Sequence, residues 1–375
     1  MANIANFFSN LFGGSKQSSS VLGIDIGSSS IKVVQLAKKN GHVVLETYGE
    51  LSLGPYISKN VGEATNLPLE KIIEALNDML KEKEVNITTR VCGLAIPFAS
   101  SLITVIDMPN LPKEQLVKMV PLEARKYIPV PISEVSLDWY IIPENQNSES
   151  DSFGEDDKKQ KTVKVLVVVL HNDTLIRYKE IVTRSFLEAS FFEIEIFSTM
   201  RSVLDQEITP ILVIDMGATT TKLYIVEKGI LNSSHMINRG AQSITSELSK
   251  SLGISIAEAE ILKREKGLSG VVNDIQVRDV IAITLDYVFS EANRFIIAYE
   301  KKYAKNVAKV IMVGGGSALK GIIDVAKRSF QGEVLGGDPF SKVIAPAFLE
   351  KILRETGPQF AVSVGVALRR LQELE

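Results

Sequence analysis

One cysteine, Cys92, stands in the whole 375-residue sequence, so no disulfide can form within the chain, and a reducing compartment fits. Histidine is nearly as scarce. His42, His171 and His235 lie far apart and away from the cysteine, which leaves no metal-ligand spacing of the His/Cys kind. Neither sign of charge dominates: 42 Lys and Arg against 45 Asp and Glu give a formal net charge of −3, spread without a basic stripe. Nucleic acid is a poor partner for such a chain. Long hydrophobic runs are missing too. The strongest, VKVLVVVL over 163–170, has strand length and contains Lys164, whereas a membrane span needs about 18 apolar residues or more. The N-terminus lacks the basic start and apolar core of a secretion signal, so the expected location is the cytoplasm. Neither GxxxxGK followed by Ser or Thr nor GxGxxG occurs, which disfavours a P-loop enzyme and a Rossmann dehydrogenase.

What is present is an ordinary globular balance, 45% hydrophobic and 23% charged. The chain is longer than one average domain of about 100–200 residues, and two or more are expected. Near the start, Ile4, Phe7, Phe8, Leu11 and Phe12 fall at i, i+3, i+4, i+7 and i+8, the spacing of a one-sided helix ended by Gly13 and Gly14. That stripe suits a membrane surface or a partner, but its polar face is almost free of Lys and Arg, which favours a frayed tail. A meander follows, with strands over 21–27, 31–37 and 42–51, then an amphipathic helix on Leu69, Ile72, Ile73, Leu76 and Leu80 and a strand over 90–96. Between 101 and 195 the pattern is α+β: a helix over 112–127, strands over 137–142 and 163–170, a helix over 173–187 and a strand over 191–196. Pro121 inside the first of these helices should kink or split it. Residues 143–161 are polar and charged and read as a disordered loop.

Two segments carry the chemistry. GIDIGSSSIK, from Gly23 to Lys32, sets an aspartate in an apolar run, where an unpaired carboxylate costs several kcal/mol by order of magnitude. ILVIDMGATTTKLYIVEKG, at 211–229, repeats the pattern of VLGIDIGSSSIKVVQLAKK, at 21–39. Asp215 falls on Asp25, Gly217 on Gly27, Thr219 and Thr220 on Ser29 and Ser30, and Lys222 on Lys32, at a constant offset of 190. Two copies so far apart imply two similar half-molecules facing each other. In each copy the glycine admits a ligand close to the backbone, the turn amides form an anion-binding concavity, and the lysine adds positive charge. Such hairpins suit phosphates, and an aspartate beside a polyphosphate calls for Mg²⁺ between them, so Asp25 and Asp215 are the metal-side candidates. One such hairpin alone is commonly just a turn in which the aspartate caps its own loop. A helix opening with a Ser255/Glu258 capping box, a long helix over 277–303, the glycine bend VGGGS at 313–317 and a terminal helix from Pro358 complete the chain. A glycine bend between strand and helix is a place where a ribose or base can lie against bare backbone.

This order of elements resembles the actin, Hsp70 and sugar kinase superfamily. The resemblance implies an α/β chain with the actin-like ATPase fold, two ribonuclease H-like lobes and an inserted α+β subdomain of the FtsA type. The divisions it implies are a tail at 1–20 and lobe 1 at 21–100, completed by 196–208 and 358–375. The insert falls at 101–195, lobe 2 at 209–242 and 306–357, and a helical subdomain at 243–305. It also implies ATP and Mg²⁺. Gly27, Ser28, Ser29 and Lys32, with Gly217, Thr219 and Thr220, correspond to phosphate contacts, and Gly314, Gly315 and Ser317 to the adenosine floor. Glu260 and Lys263 match an AE..K segment that touches ribose and adenine, although as an i, i+3 pair they equally fit a surface salt bridge. Glu195 falls where related chains place an acidic residue of catalytic type, next to Ile196 where proline is usual.

Finer detail narrows the resemblance. MPNLPKEQL, EARKYIPVPISEVSLDWYII and VSVGVALRR are similar to segments of the PilM family, the cytoplasmic actin-like proteins of type IV pilus assembly. That resemblance implies a nucleotide-dependent scaffold peripheral to the inner membrane, within the pilus assembly complex. Its partner would be the N-terminal cytoplasmic tail of PilN, bound beside the insert, with room for self-association. The alternatives are an FtsA-like division protein and a small-molecule kinase of the same fold, which would need a base near the γ-phosphate and a polar substrate pocket. A chaperone is disfavoured, because no peptide-binding domain follows the final helix. Slow or absent ATP turnover is expected, because Ala218 offers no oxygen where actin has another aspartate.

Overall fold

The structure is a computed structural model that describes residues 20–142, 162–205, 207–272 and 275–373; the N-terminal apolar stripe and the 143–161 loop lie outside the described residues. Strands β1 (Ser20–Ile26), β2 (Ser30–Lys39) and β3 (His42–Ser52) form an antiparallel meander. Helix α1 (Leu69–Lys81) buries Ile72, Ile73, Leu76 and Leu80, the face its periodicity predicts, and delivers the chain to β4 (Val91–Ile96), which runs parallel to β1.

A second unit then departs from this sheet. Strand β5 (Ser101–Pro109), helix α2 (Lys113–Ala124), strands β6 (Val135–Ile141) and β7 (Thr162–His171) and helix α3 (Asn172–Arg184) follow, and the strands form an antiparallel sheet in the order β5-β7-β6. The central strand explains the VKVLVVVL run. Val165, Val167 and Val169 pack with Leu116 and Val120 of α2, while Leu166, Val168 and Leu170 pack with Leu175 and Ile181 of α3, so both faces are covered. Of the two outcomes expected at Pro121, a kink or a split, the split does not occur. The helix runs through Pro121 and ends three residues later at Ala124; Val117, whose carbonyl loses the donor that proline lacks, is exposed.

The chain rejoins the first sheet through β8 (Glu188–Ile194), parallel to β4, giving the order β3-β2-β1-β4-β8. This strand ends at Ile194, two residues earlier than predicted. Glu195 instead opens helix α4 (Glu195–Val203), where a carboxylate meets the positive end of the helix dipole.

The second half repeats the plan. Strands β9 (Ile211–Met216), β10 (Thr221–Glu227) and β11 (Ile230–Ile237) form the meander. Helices α5 (Ala241–Leu252) and α6 (Ile256–Lys266), the hairpin of β12 (Val271–Val272) and β13 (Ile275–Gln276), and helix α7 (Val277–Tyr303) follow, with the Ser255/Glu258 capping box formed at the start of α6. Strand β14 (Lys309–Val313), helix α8 (Ile322–Ser329) and strand β15 (Glu333–Gly336) complete a sheet in the order β11-β10-β9-β14-β15, the order and directions of the first. The chain closes with α9 (Glu350–Thr356), a 3-10 turn at Gly357–Phe360 and α10 (Ala361–Gln372).

The last helix crosses back to the first half. It packs on β1 and against α4 so closely that a Cβ on Gly365 would stand 1.8 Å from the Ser198 carbonyl oxygen. Beside this crossing, buried Glu193 accepts bonds of 2.7 Å from both Nη1 and Nη2 of Arg201, with Arg369 Nη1 at 3.2 Å.

Candidate functional site

Both hairpins end at one cleft. Cross-strand register places Asp25 directly opposite Lys32 and Asp215 directly opposite Lys222, and each turn closes alike, Gly27 N–H donating to Ser30 O at 3.0 Å and Gly217 N–H to Thr220 O at 2.9 Å. The turns meet tip to tip. Ser28 Oγ and Thr219 Oγ1 lie 3.3 Å apart, although 191 residues separate them in sequence. The cleft around this contact has a volume of about 690 Å³, within the ordinary range of small-molecule and cofactor sites.

The glycine bend joins them because β14 is parallel to β9, with Val313 beside Asp215. Gly314 has φ +84°, and a Cβ there would lie 2.4 Å from Asp215 Oδ1, so both conformation and space require glycine.

The charged groups on the cleft floor are arranged unequally. Burial pushes the Asp25 carboxyl up from 3.8 to about 6; Lys32 opposes the rise, while Glu195 and Asp215 add to it. Lys32 itself reaches elsewhere, donating to Ser30 Oγ at 2.6 Å and pairing with Glu50 at 3.2 Å. Lys222 instead pairs with Glu195 at 2.6 Å and Asp215 at 3.1 Å. Burial disfavours its ammonium, but Asp215 and Glu195 outweigh that and raise its pKa well above the usual lysine range. The other Glu195 oxygen accepts the Phe98 N–H at 2.7 Å, so both oxygens of that carboxylate are engaged.

The far wall comes from α5 and α6. Glu260 and Lys263 make the pair their i, i+3 spacing allows, at 2.6 Å, but inside the cleft and not on the outer surface, with Glu260 only 7% exposed. Burial raises the Glu260 pKa, yet Lys263 and the bonds from Thr245 and Arg264 bring it below the ordinary carboxylate value; burial lowers that of Lys263 despite Glu260. A loop of the first half reaches across. Ala64 N–H donates to Gln242 Oε1 at 2.9 Å, and a Cβ on Gly62 would touch Arg264 at 2.8 Å.

Of the candidate residues, Asp25, Gly27, Ser28, Ser29, Lys32, Glu195, Asp215, Gly217, Thr219, Thr220, Glu260, Lys263, Gly314 and Gly315 all line this cleft. Ser317 does not. It is buried and its hydroxyl donates to Gly314 O at 2.7 Å, so it braces the bend while Gly316 and Ala318 face the cavity. Lys222, Gln242 and Arg264 line the site without having been singled out as contacts. The repeat marked Lys222; nothing local marked the other two.

Mg²⁺ fits these residues only in part. Asp25 has no hydrogen bond or ion pair among the described residues and is a usable ligand, directly or through water. Asp215 already carries the Lys222 ammonium. Among the described residues no group of three or more His, Cys, Asp or Glu side chains could hold a metal ion, and no helix is long and apolar enough to cross a membrane.

Comparison with known proteins places this arrangement. The chain is 23% identical over 321 residues to the cell division protein FtsA of Neisseria meningitidis serogroup B, covering 77% of each. Among solved structures it is similar to a PilM-PilN type IV pilus biogenesis complex, with a TM-score of 0.78, 21% identity and coverage of 95% of this chain and 99% of that one. It is also similar to the ethanolamine utilization protein EutJ of Carboxydothermus hydrogenoformans, with a TM-score of 0.54, 14% identity and coverage of 97% and 94%. MreB5 of Spiroplasma citri, solved bound to AMPPNP, matches with a TM-score of 0.50, 10% identity and coverage of 96% and 98%. These likenesses bear out the actin-like ATPase fold. Residues 23–371 match the family described as type IV pilus assembly protein PilM, and with the paired hairpins and the shared cleft the chain belongs to that family.

Proposed function

We propose that this chain is a nucleotide-dependent scaffold of a type IV pilus assembly platform, cytoplasmic and held at the inner membrane through its partners. ATP lies in the cleft with its β and γ phosphates between the Ser28 and Thr219 turns. Its adenosine end rests on Gly314 and Gly315, beside Glu260 and Lys263. The observation that carries this reading is the apposition of the two duplicated turns at 3.3 Å on the floor of one cavity.

The partner is the N-terminal cytoplasmic tail of a PilN protein, bound beside the β5-β7-β6 unit. That unit joins the first half through the turn at Phe98, whose N–H is held by Glu195 on the cleft floor, so the state of the cleft and the seating of the unit share one carboxylate. A tail peptide that prefers one arrangement is then coupled to nucleotide by linkage, typically about 5- to 150-fold in affinity. Turnover is slow or absent, because Ala218 offers no side-chain oxygen to orient a water, and the Glu195 carboxylate is engaged by the Lys222 ammonium and the Phe98 N–H.

Calorimetric titration of ATP into the purified chain, with and without the tail peptide, tests this reading. We expect binding that weakens at least about tenfold in Lys32→Ala, a loss of about 1.4 kcal/mol. Peptide affinity should shift with nucleotide. No binding at millimolar ATP, or phosphate release well above about 1 per second, overturns it.

A further inference from the structure

The duplication predicts equivalent roles for the two lysines, and the structure breaks that equivalence. In the first hairpin Lys32 turns away to Ser30 and Glu50, leaving Asp25 without an ion pair among the described residues. In the second, Lys222 sits between Asp215 and Glu195, at 3.1 and 2.6 Å, with the three side chains only 13%, 6% and 10% exposed. One ammonium thus bridges two buried carboxylates from separate elements, β9 and α4. A divalent ion on this side of the cleft would be expected to do the same.

We propose that the Lys222 ammonium is a resident cation that takes the place of Mg²⁺ on the second-hairpin side of the cleft, so that nucleotide is held there with little dependence on a divalent ion. This rests on the nucleotide reading above and alters its metal requirement. Three considerations support it. A Mg²⁺ ion between Asp215 and Glu195 would have to share Asp215 Oδ2 and Glu195 Oε2 with an ammonium that repels it. Moving Lys222 aside would leave two buried carboxylates uncompensated, the costly outcome for a broken buried pair. Cross-strand register fixes the base of Lys222 opposite Asp215, so the ammonium is tethered at its site and is not lost to dilution.

The experiment has two arms on the full chain. In the first, ATP affinity is measured in millimolar Mg²⁺ and in excess EDTA. In a chain carrying Asp25→Asn, which takes away the free carboxylate of the first hairpin, a change of less than threefold with Lys222 in place, against tenfold or more with Lys222→Met, supports the proposal; a tenfold loss on chelation with Lys222 in place overturns it. The second arm uses Mg²⁺ alone, without nucleotide, and reads the melting temperature. A rise with added Mg²⁺ in Lys222→Met but not in the wild type supports the resident cation, including the case in which Lys222→Met folds only when Mg²⁺ is present. Equal responses overturn it. If ATP binds in no condition the nucleotide reading fails, and the Mg²⁺-only arm decides whether Lys222 stands in a cation's place.

Discussion

Asp25→Asn should stabilise the ligand-free protein, by an amount that depends on pH in a defined direction. The carboxyl of Asp25 is raised from 3.8 to about 6, chiefly by burial. A group whose folded value lies above its unfolded value binds its proton more tightly when folded. Its ionisation therefore costs nothing below about pH 4, costs progressively more as pH rises toward 6, and costs the full amount above that. At about 1.4 kcal/mol for each pH unit, the rise from 3.8 to about 6 corresponds to roughly 3 kcal/mol. Asparagine keeps the shape without the charge, so the variant should gain on the order of 3 kcal/mol at pH 8 and almost nothing at pH 4. In melting temperature this is about 4 °C at the higher pH for a chain of 375 residues. Urea denaturation of both proteins at pH 4, 6 and 8, without nucleotide or divalent ions, measures it. A gain under about 0.5 kcal/mol at pH 8, the scatter of ordinary surface changes, or a gain as large at pH 4 as at pH 8, refutes the reasoning. The expected pattern is that of a site whose strain a ligand relieves, in which stability is lost so that a charge stands where the ligand needs it.

Two further outcomes concern the junction between the halves. Glu193→Gln removes the charge between Arg201 and Arg369 and should cost about 3–5 kcal/mol in urea denaturation, the range for breaking a buried pair; burial raises its pKa, but the two arginines outweigh that and hold it below the ordinary carboxylate value, so its contribution is present above that value and is lost as pH falls through the depressed one. Gly365→Ala puts a methyl 1.8 Å from the Ser198 carbonyl and must part α10 from α4, at a cost of about 1–3 kcal/mol or more, read as a lowered melting temperature.

Local rules made much of this fold legible. The capping box of α6 and the bounds of α7 follow from side chains three or four apart, which meet on a helix whatever surrounds it. The hairpins were legible for a similar reason: a short turn fixes register, and register alone puts Asp25 opposite Lys32 and Asp215 opposite Lys222. Where tertiary neighbours decide, the sequence was mute. Glu195, inside an apolar run, reads as the end of a strand, and only its place above Phe98 and Lys222 shows why the chain turns into a helix there. Ser317 belongs to the glycine bend in sequence, yet faces inward because Gly314 O needs a donor.

The two lysines show where the boundary falls. Their strands, turns and partners on the first strand of each meander are equivalent, Asp25 and Asp215, but on the third strand Lys32 faces Glu50 while Lys222 faces Met236. They differ because each lies within reach of a carboxylate that its own hairpin does not supply: Glu50, from β3, draws Lys32 toward the edge of the sheet, and Glu195, from α4, holds Lys222 over Asp215. A repeat in sequence therefore specifies a repeated backbone, while the charge balance at its tip is set by whatever the rest of the chain brings there. In this protein each copy meets an added carboxylate from a different element, and only in the second does the lysine stay paired with its own aspartate.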